Sequence, residues 1–124
     1  MEIIKPFSDG LPTWLGNSMG LKRKSYKCIN HQMLIQSNSF YVGITVFNPG
    51  EGCIVHNHLG AEEVAYIISG GGKVYDASDR LIADLETGDV IFYHSGEYHR
   101  NFNDREEPLV MLFALAPHGE LPNG

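Results

Sequence analysis

Residues 50–70 read GEGCIVHNHLGAEEVAYIISG, and this stretch gives the strongest indication of the fold. It places His56, His58, Glu62 and Glu63 within eight residues, between runs rich in Val and Ile. Since side chains two apart in a β-strand point to the same face, both imidazoles are predicted to reach one region. A carboxylate that opens the next apolar run can return to that region from a neighbouring strand. Imidazoles and a carboxylate together predict a site for a divalent first-row metal.

The segments around this stretch are typical of short strands separated by turns. The predicted strands are 33–36, 40–47, 53–58, 63–68, 73–75, 81–84, 90–93, 98–103 and 109–116. Fourteen glycines and six prolines favour many tight turns, and no segment shows a convincing helical period. The sequence therefore predicts an all-β protein, either a sandwich or a barrel.

Alternation assigns faces within two of these strands. It divides the predicted strand 53–58 into one face with Ile54, His56 and His58 and another with Cys53, Val55 and Asn57. The run 63–68 is apolar on both faces, as in a strand that is buried on both sides. Tyr66 follows Glu63 by three residues, so we expect it to point away from the metal, into the core or an interface.

Composition limits the classes of function. The 124 residues suit one domain, with 43% hydrophobic and 19% charged residues, and the net charge of −6 argues against a nucleic-acid partner. No apolar run approaches the roughly 18 residues that span a bilayer, and no signal peptide is recognisable. Cys28 and Cys53 lack CxxC spacing and are predicted to be reduced structural thiols in a cytoplasmic protein.

The chain is predicted to contain an N-terminal arm at 1–20, one barrel domain at 21–117 and a loose tail at 118–124. Five glycines and prolines exclude a long helix from the arm. Trp14 and Leu15 are candidates for anchoring it to the barrel or to a partner chain.

A basic run, Lys22-Arg23-Lys24, follows the arm. Such a run is most often a solvated face. The alternative is that one of its three side chains reaches a pocket and binds an anionic substrate.

A second histidine-bearing segment, residues 88–103, reads GDVIFYHSGEYHRNFN. With the first stretch it resembles the cupins, small β-barrels whose interior holds a mononuclear metal. The cupin pattern G(X)5HXH(X)3,4E(X)6G is met by Gly50, His56, His58, Glu63 and Gly70. The pattern G(X)5PXG(X)2H(X)3N is met by Gly88, Gly96, His99 and Asn103, with His94 in place of proline.

This resemblance implies a cupin-type double-stranded β-helix, or jelly-roll barrel. It implies one divalent transition metal per chain, bound by His56, His58, Glu63 and His99. Glu62 is the other possible acid, but only Glu63 lies six residues before Gly70. The donor set does not choose among Mn, Fe, Ni, Co and Zn.

His94 is the one catalytic candidate that we single out. It stands at a strand end five residues before His99, where an imidazole could act as a general acid or base. The alternative is a simple turn substitution at the barrel mouth.

Three functions fit such a chain. The first is a metal-dependent enzyme that isomerises, tautomerises or decarboxylates a sugar acid or keto acid by Lewis-acid chemistry. It is favoured by a loose similarity to small cupins that process unsaturated uronate sugars, carried by GLKRK and by Glu62, Glu63 and Tyr66 to Gly70. The second is an Fe(II)-dependent dioxygenase, and the third is a non-catalytic binding or sensing module.

The last predicted strand, 109–116, is apolar at every position and reads LVMLFALA. One of its faces can pack inside the barrel, and the other needs cover from elsewhere. A homodimer, common among cupins, would provide that cover.

Overall fold

A computed structural model of the chain describes residues 1–16 and 21–117. Within these ranges one short helix, α1 (Pro6–Asp9), precedes nine strands. The strands are β1 (Leu11–Gly16), β2 (Lys22–Ile29), β3 (Tyr41–Phe47), β4 (Glu62–Ser69), β5 (Gly72–Tyr75), β6 (Leu81–Leu85), β7 (Val90–Tyr93), β8 (Arg100–Phe102) and β9 (Leu109–Ala116). The all-β class predicted from the sequence is confirmed.

Two antiparallel sheets form the barrel. The larger has the order β1-β2-β3-β9-β4-β7 and the smaller the order β6-β5-β8. Isolated bridges join Gly52 to Phe102 and His56 to His99, so the segment that carries the first two histidines lies beside the small sheet. The histidine segments and β4 therefore belong to opposite walls of the barrel.

The hydrophobic core lies between the two sheets, and the central strand β9 contributes a row of buried side chains to it. Its residues alternate between buried and half-buried, with Leu109, Met111, Phe113 and Leu115 facing inward. Full burial of one such side chain stabilises the fold by about 1.5–3 kcal/mol. The four inward residues thus fasten the middle of the large sheet to the core.

The outer face of the large sheet is also apolar. On β4 the side chains of Val64, Tyr66 and Ile68 are 38–45% exposed, while the residues between them are buried. In the single chain, the prediction that 63–68 is buried on both faces is therefore wrong. Tyr66 points outward, away from Glu63, as alternation predicts.

The predicted arm contributes to the barrel itself. Residues 11–16 form β1, which pairs along its whole length with β2 and places Trp14 opposite Lys24. Proline is tolerated in an edge strand, which is why Pro12 does not prevent the pairing. Leu15 is buried and Trp14 is exposed, so Leu15 is the residue that anchors this strand. Residues 17–20 and the predicted tail 118–124 lie outside the described residues.

Two predicted strands are replaced by irregular backbone. In 33–36 only Ile35 forms a bridge, to Ile29, and in 53–58 only His56 does. Residues 98–103 shorten to β8. Propensity alone overestimated the extent of pairing in these segments because neighbouring backbone decides where a ladder forms.

Gly70, the last residue of the first pattern, has a structural reason to be glycine. Its φ of +75° lies in the left-handed region, and a Cβ there would meet the carbonyl oxygen of Pro108 at 2.1 Å. Only glycine combines that backbone conformation with that close approach. The turn after β4 consequently packs directly on the backbone that leads into β9.

Candidate metal centre

Three histidines converge between the two sheets. His56 and His99 face each other across a backbone bridge in which each N–H donates to the other's carbonyl oxygen at 2.9 Å. Their ring centroids are 4.4 Å apart, and the His58 ring is 5.0 Å from that of His56. Ligand nitrogens of all three lie within 4.8 Å of one another, so these side chains could hold one metal ion.

Glu63 reaches the same place from the opposite wall. Its Oε1 atom lies 3.4 Å from His58 Nε2 and 3.2 Å from His99 Nε2. Within residues 1–16 and 21–117, none of these three buried atoms has a correctly oriented hydrogen-bond partner. Donor atoms that bind one metal at about 2.1 Å with right angles between them are roughly 3 Å apart. The convergence of unsatisfied donors therefore fits a metal better than it fits a hydrogen-bonded cluster.

Backbone carbonyls orient two of the imidazoles. His56 Nδ1 lies 2.8 Å from the carbonyl oxygen of Ile54, and His99 Nδ1 lies 3.1 Å from that of Glu97. A carbonyl can only accept, so each Nδ1 carries the proton and each Nε2 presents a lone pair. This is the arrangement in which proteins present histidine to metals.

Electrostatics keeps two of the donors, His56 and Glu63, in the protonation states that metals require. Burial, with a smaller contribution from His99, lowers the pKa of His56 from 6.5 to about 4, so this imidazole is neutral at pH 7. Burial opposes ionisation of Glu63, but contacts with His58 and His99 outweigh it and lower its pKa from 4.5 to about 2. A neutral imidazole and an ionised carboxylate are the ligand forms.

A cavity of about 30 Å³ opens beside the centre. A buried water needs roughly 10–15 Å³, so the space suits very few heavy atoms. Its walls combine apolar side chains with polar ones, and the polar side chains are Arg23, Thr45, Cys53, His56, Glu63, His99 and Asn101. The apolar walls restrict the entry of water, and the polar groups are available to contact a ligand in the cavity.

Tyr93 supports the centre from behind. Its ring stacks on His99 with a centroid distance of 3.7 Å and an angle of 11°, and its hydroxyl donates to Asn101 Oδ1 at 3.1 Å. The stack fixes the plane of the His99 ring. Sequence reasoning could not place Tyr93 inside or outside, because its position depends on the pairing of β7 with β4.

Cys53 lies on the cavity side, in contrast to the prediction that it faces away from His56. The backbone between Gly52 and His56 is not paired as a strand, so strict alternation does not hold there. Cys53 is 1% exposed, and burial raises the pKa of its thiol. As predicted, both cysteines are free.

The remaining predicted candidates lie apart from the centre. His94 is exposed, packs edge-on against Phe92 at 5.0 Å, and does not line the cavity. Glu62 is exposed at the start of β4. The structure thus brings together His56, His58, Glu63 and His99 and leaves His94 outside.

The fold and the histidine cluster place the protein in the class of small β-barrel proteins with a candidate metal centre in the interior. The sequence profile of the Cupin domain matches residues 43–115, so the chain belongs to the cupin family. A comparison with curated protein sequences finds no match. No helix within 1–16 and 21–117 has the length and hydrophobicity that crossing a membrane requires.

Solved structures share the fold. A predicted oxalate decarboxylase from Thermotoga maritima is 20% identical, with a TM-score of 0.78 over 94% of this chain and 100% of that one. The polyketide cyclase RemF from Streptomyces resistomycificus is 16% identical, with a TM-score of 0.76 over 98% and 82%. A sugar phosphate isomerase from Silicibacter pomeroyi is 17% identical, with a TM-score of 0.64 over 77% and 60%. These likenesses establish the double-stranded β-helix.

Proposed function

We propose that the protein is a divalent-metal-dependent enzyme that acts on a small oxygen-rich acid. His56, His58, Glu63 and His99 would hold one ion per chain. The observation that carries this proposal is the convergence of Nε2 of two histidines and Oε1 of Glu63, all buried and without aligned hydrogen bonds. An empty polar cluster of this kind would destabilise the barrel, because each unsatisfied buried group costs about 1–3 kcal/mol.

The proposed reaction class is Lewis-acid isomerisation, tautomerisation or decarboxylation of a sugar acid or keto acid. A bound divalent ion supplies polarisation of a substrate oxygen. The chain's own part is to hold the imidazole planes through the Ile54 and Glu97 carbonyls and to keep the site dry with Phe47, Met111 and Phe113. Two of the neighbours are called a predicted oxalate decarboxylase and a sugar phosphate isomerase, and these names agree with the proposed reaction class but do not choose a substrate.

Two other functions predict different outcomes in one experiment. Protein loaded with Mn, Fe, Ni, Co or Zn would be incubated with a set of short keto acids, hydroxy acids and uronates, with and without O2, and followed by NMR. We expect conversion without O2 and no O2 uptake. Conversion only with iron and with stoichiometric O2 uptake would establish the Fe(II) dioxygenase instead. Tight binding without conversion of any compound would favour a sensing module.

The acid–base role of His94 stays a prediction, and its test needs a variant that removes the imidazole without disturbing the backbone. Proline, the cupin residue at this position, would remove the imidazole together with the hydrogen bond from His94 N to Glu97 Oε1 at 3.2 Å. His94→Asn keeps that N–H and removes only the imidazole. If His94 transfers the proton, turnover should fall roughly 10²-fold with metal content unchanged. His31→Asn, at another exposed histidine, is the control, and equal turnover of both variants would assign His94 to the turn alone.

We also propose that the protein forms a homodimer through the outer face of the large sheet. Val64 pairs with Phe92 and Tyr66 with Val90, which makes one continuous patch of side chains 38–66% exposed. The outward residues of β9 are half-buried beside it. A second copy of the same face is apolar too, so a two-fold interface would cover both patches at once.

Sedimentation should therefore give a species of twice 13.8 kDa at micromolar concentration. Tyr66→Glu should shift the equilibrium to monomer, because it places a charge in the buried patch. Tyr98→Glu, at a tyrosine that is 52% exposed outside the strands of the large sheet, should leave the dimer intact. A wild-type monomer would overturn this proposal.

A further inference from the structure

Tyr93, the last residue of β7, touches both walls that carry the candidate ligands. In the antiparallel ladder between β4 and β7 it lies directly opposite Glu63. Its side chain is 6% exposed and crosses the interior to His99 and Asn101, which belong to the other wall. One buried side chain thus connects the strand of the acidic ligand with the segment of a histidine ligand.

Two contacts restrain this side chain in different ways. His99 and Asn101 are two residues apart and face inward together, because side chains alternate along extended backbone. The hydroxyl of Tyr93 donates to Asn101 Oδ1 at 3.1 Å, which fixes the direction of the ring axis. The stack on His99 fixes the rotation of the ring about that axis. The phenol ring therefore has one preferred orientation, and it holds the imidazole nearly parallel to itself.

The stacking geometry favours a positively polarised imidazole. The ring centroids of Tyr93 and His99 are 3.7 Å apart and the ring planes differ by 11°, so the two π faces overlap over most of their area. Two neutral aromatic rings prefer offset or edge-on contacts, with centroids about 4.5–7 Å apart. A cation at His99 Nε2 would draw electron density out of the imidazole, and the face of a phenol ring attracts positive charge. The stack should therefore be stronger with a metal ion bound than without one.

We propose that Tyr93 is a positioning residue of the metal centre, which strengthens metal binding through its stack on His99. The ring holds the imidazole plane in place and stabilises the charge that the imidazole acquires on binding a divalent ion at Nε2. This inference rests on the proposed function and extends it to a residue that is not itself a ligand. Loss of the ring should weaken metal binding, whereas loss of another buried ring should lower only the stability of the fold.

The main measurement is the dissociation constant for zinc, obtained by competition with a chromophoric chelator under conditions in which every variant is folded. Tyr93→Leu should bind zinc about 10- to 100-fold more weakly, the range for residues that orient a metal ligand. Tyr93→Phe keeps the stacked ring and loses only the hydroxyl, so its affinity should stay within about 3-fold of wild type.

Tyr41→Leu is the matched control. Tyr41 is a second buried tyrosine of the large sheet, 2% exposed, and its ring packs against Phe113 at a centroid distance of 5.3 Å and not against a histidine. Urea unfolding of the metal-free proteins should show lower stability for Tyr41→Leu and for Tyr93→Leu, because both delete a buried ring. The zinc affinity of Tyr41→Leu should stay within about 3-fold of wild type, since no candidate ligand loses its stacking partner.

The visible absorption spectrum of cobalt-loaded protein provides a readout that does not depend on stability. Its bands respond to the arrangement of the ligands around the ion. Tyr93→Leu should change these bands, and Tyr93→Phe and Tyr41→Leu should keep the wild-type spectrum. If Tyr93→Leu does not fold, Tyr93→Met takes its place in both measurements, because the methionine side chain adapts to irregular gaps in a core.

The outcomes separate this proposal from the proposed function. A wild-type protein that binds neither zinc nor cobalt would overturn the proposed function. If wild type binds zinc and Tyr93→Leu binds it as tightly, only the role of Tyr93 is overturned. Equal weakening in Tyr41→Leu would overturn it as well, because the loss would then follow from packing in general. Equal weakening in Tyr93→Phe would overturn the stack as the cause.

Discussion

Replacing His99 by alanine should empty the metal centre. Protein purified without added metal is expected to carry about one divalent ion per chain, and His58→Ala or His99→Ala should remove nearly all of it. His99 is 1% exposed and its Nε2 lies 3.2 Å from Glu63 Oε1, so the alanine variant would lose a buried donor from the middle of the ligand cluster. Elemental analysis of the purified protein is the measurement.

Three further variants, two of them controls, make the result specific. His31→Ala removes an exposed histidine and should leave the metal in place. Glu62→Ala and Glu63→Ala compare neighbouring acids, of which only Glu63 is buried beside the histidines. If Glu62→Ala emptied the site and Glu63→Ala did not, the assignment of the acid ligand would be wrong.

Asn103→Ala should lower the free energy of unfolding by about 3–4 kcal/mol, because it deletes three hydrogen bonds of about 1 kcal/mol each and strands buried partners. The Asn103 side chain is fully buried, and its Nδ2 donates to the carbonyl oxygens of Phe47 at 2.9 Å and Glu107 at 2.7 Å. Its Oδ1 accepts from the N–H of Arg105 at 2.9 Å. The last residue of the second cupin pattern therefore joins the end of β3 to the turn before β9.

Urea unfolding of the wild type and two variants would test this role. Asn57→Ala is the matched control, since Asn57 is half-buried and makes one side-chain hydrogen bond, to the Gly96 carbonyl at 3.2 Å. It should cost about 1 kcal/mol or less. A loss in Asn103→Ala no larger than in Asn57→Ala would show that the side-chain network adds little to stability.

The sequence allowed the all-β class and the convergence of His56 and His58 to be predicted because both depend on short-range spacing. His56 and His58 are two apart, and Gly70 is needed for a close turn after β4. Such requirements appear directly as residue types at fixed intervals. The pairing of His56 with His99, 43 residues away, was accessible only through the resemblance of the two patterns to cupins.

The environment of the centre was less predictable. Cys53 lies on the cavity side because the backbone hydrogen-bond ladder is interrupted between Gly52 and His56. No residue type in this segment predicts such an interruption. Arg23 was one of three equivalent cations until β2 pairing fixed its face. Tyr93 stacks on His99 because β7 ends where it does. Each of these positions depends on long-range pairing of the backbone, which hydrophobic periodicity and β-strand propensity do not predict.

The placement of the candidate ligands on opposite walls ties the ion to the mechanics of the barrel. His56, His58 and His99 lie beside the small sheet and Glu63 belongs to the large one, so an ion held by all four would act as a clasp between them. The sheets could then separate only by releasing the ion. At free metal 1,000-fold above its dissociation constant, such a clasp would contribute about 4 kcal/mol against opening. A chelator would thus lower the free energy of unfolding of this protein, and scarcity of the metal would make it more susceptible to proteases.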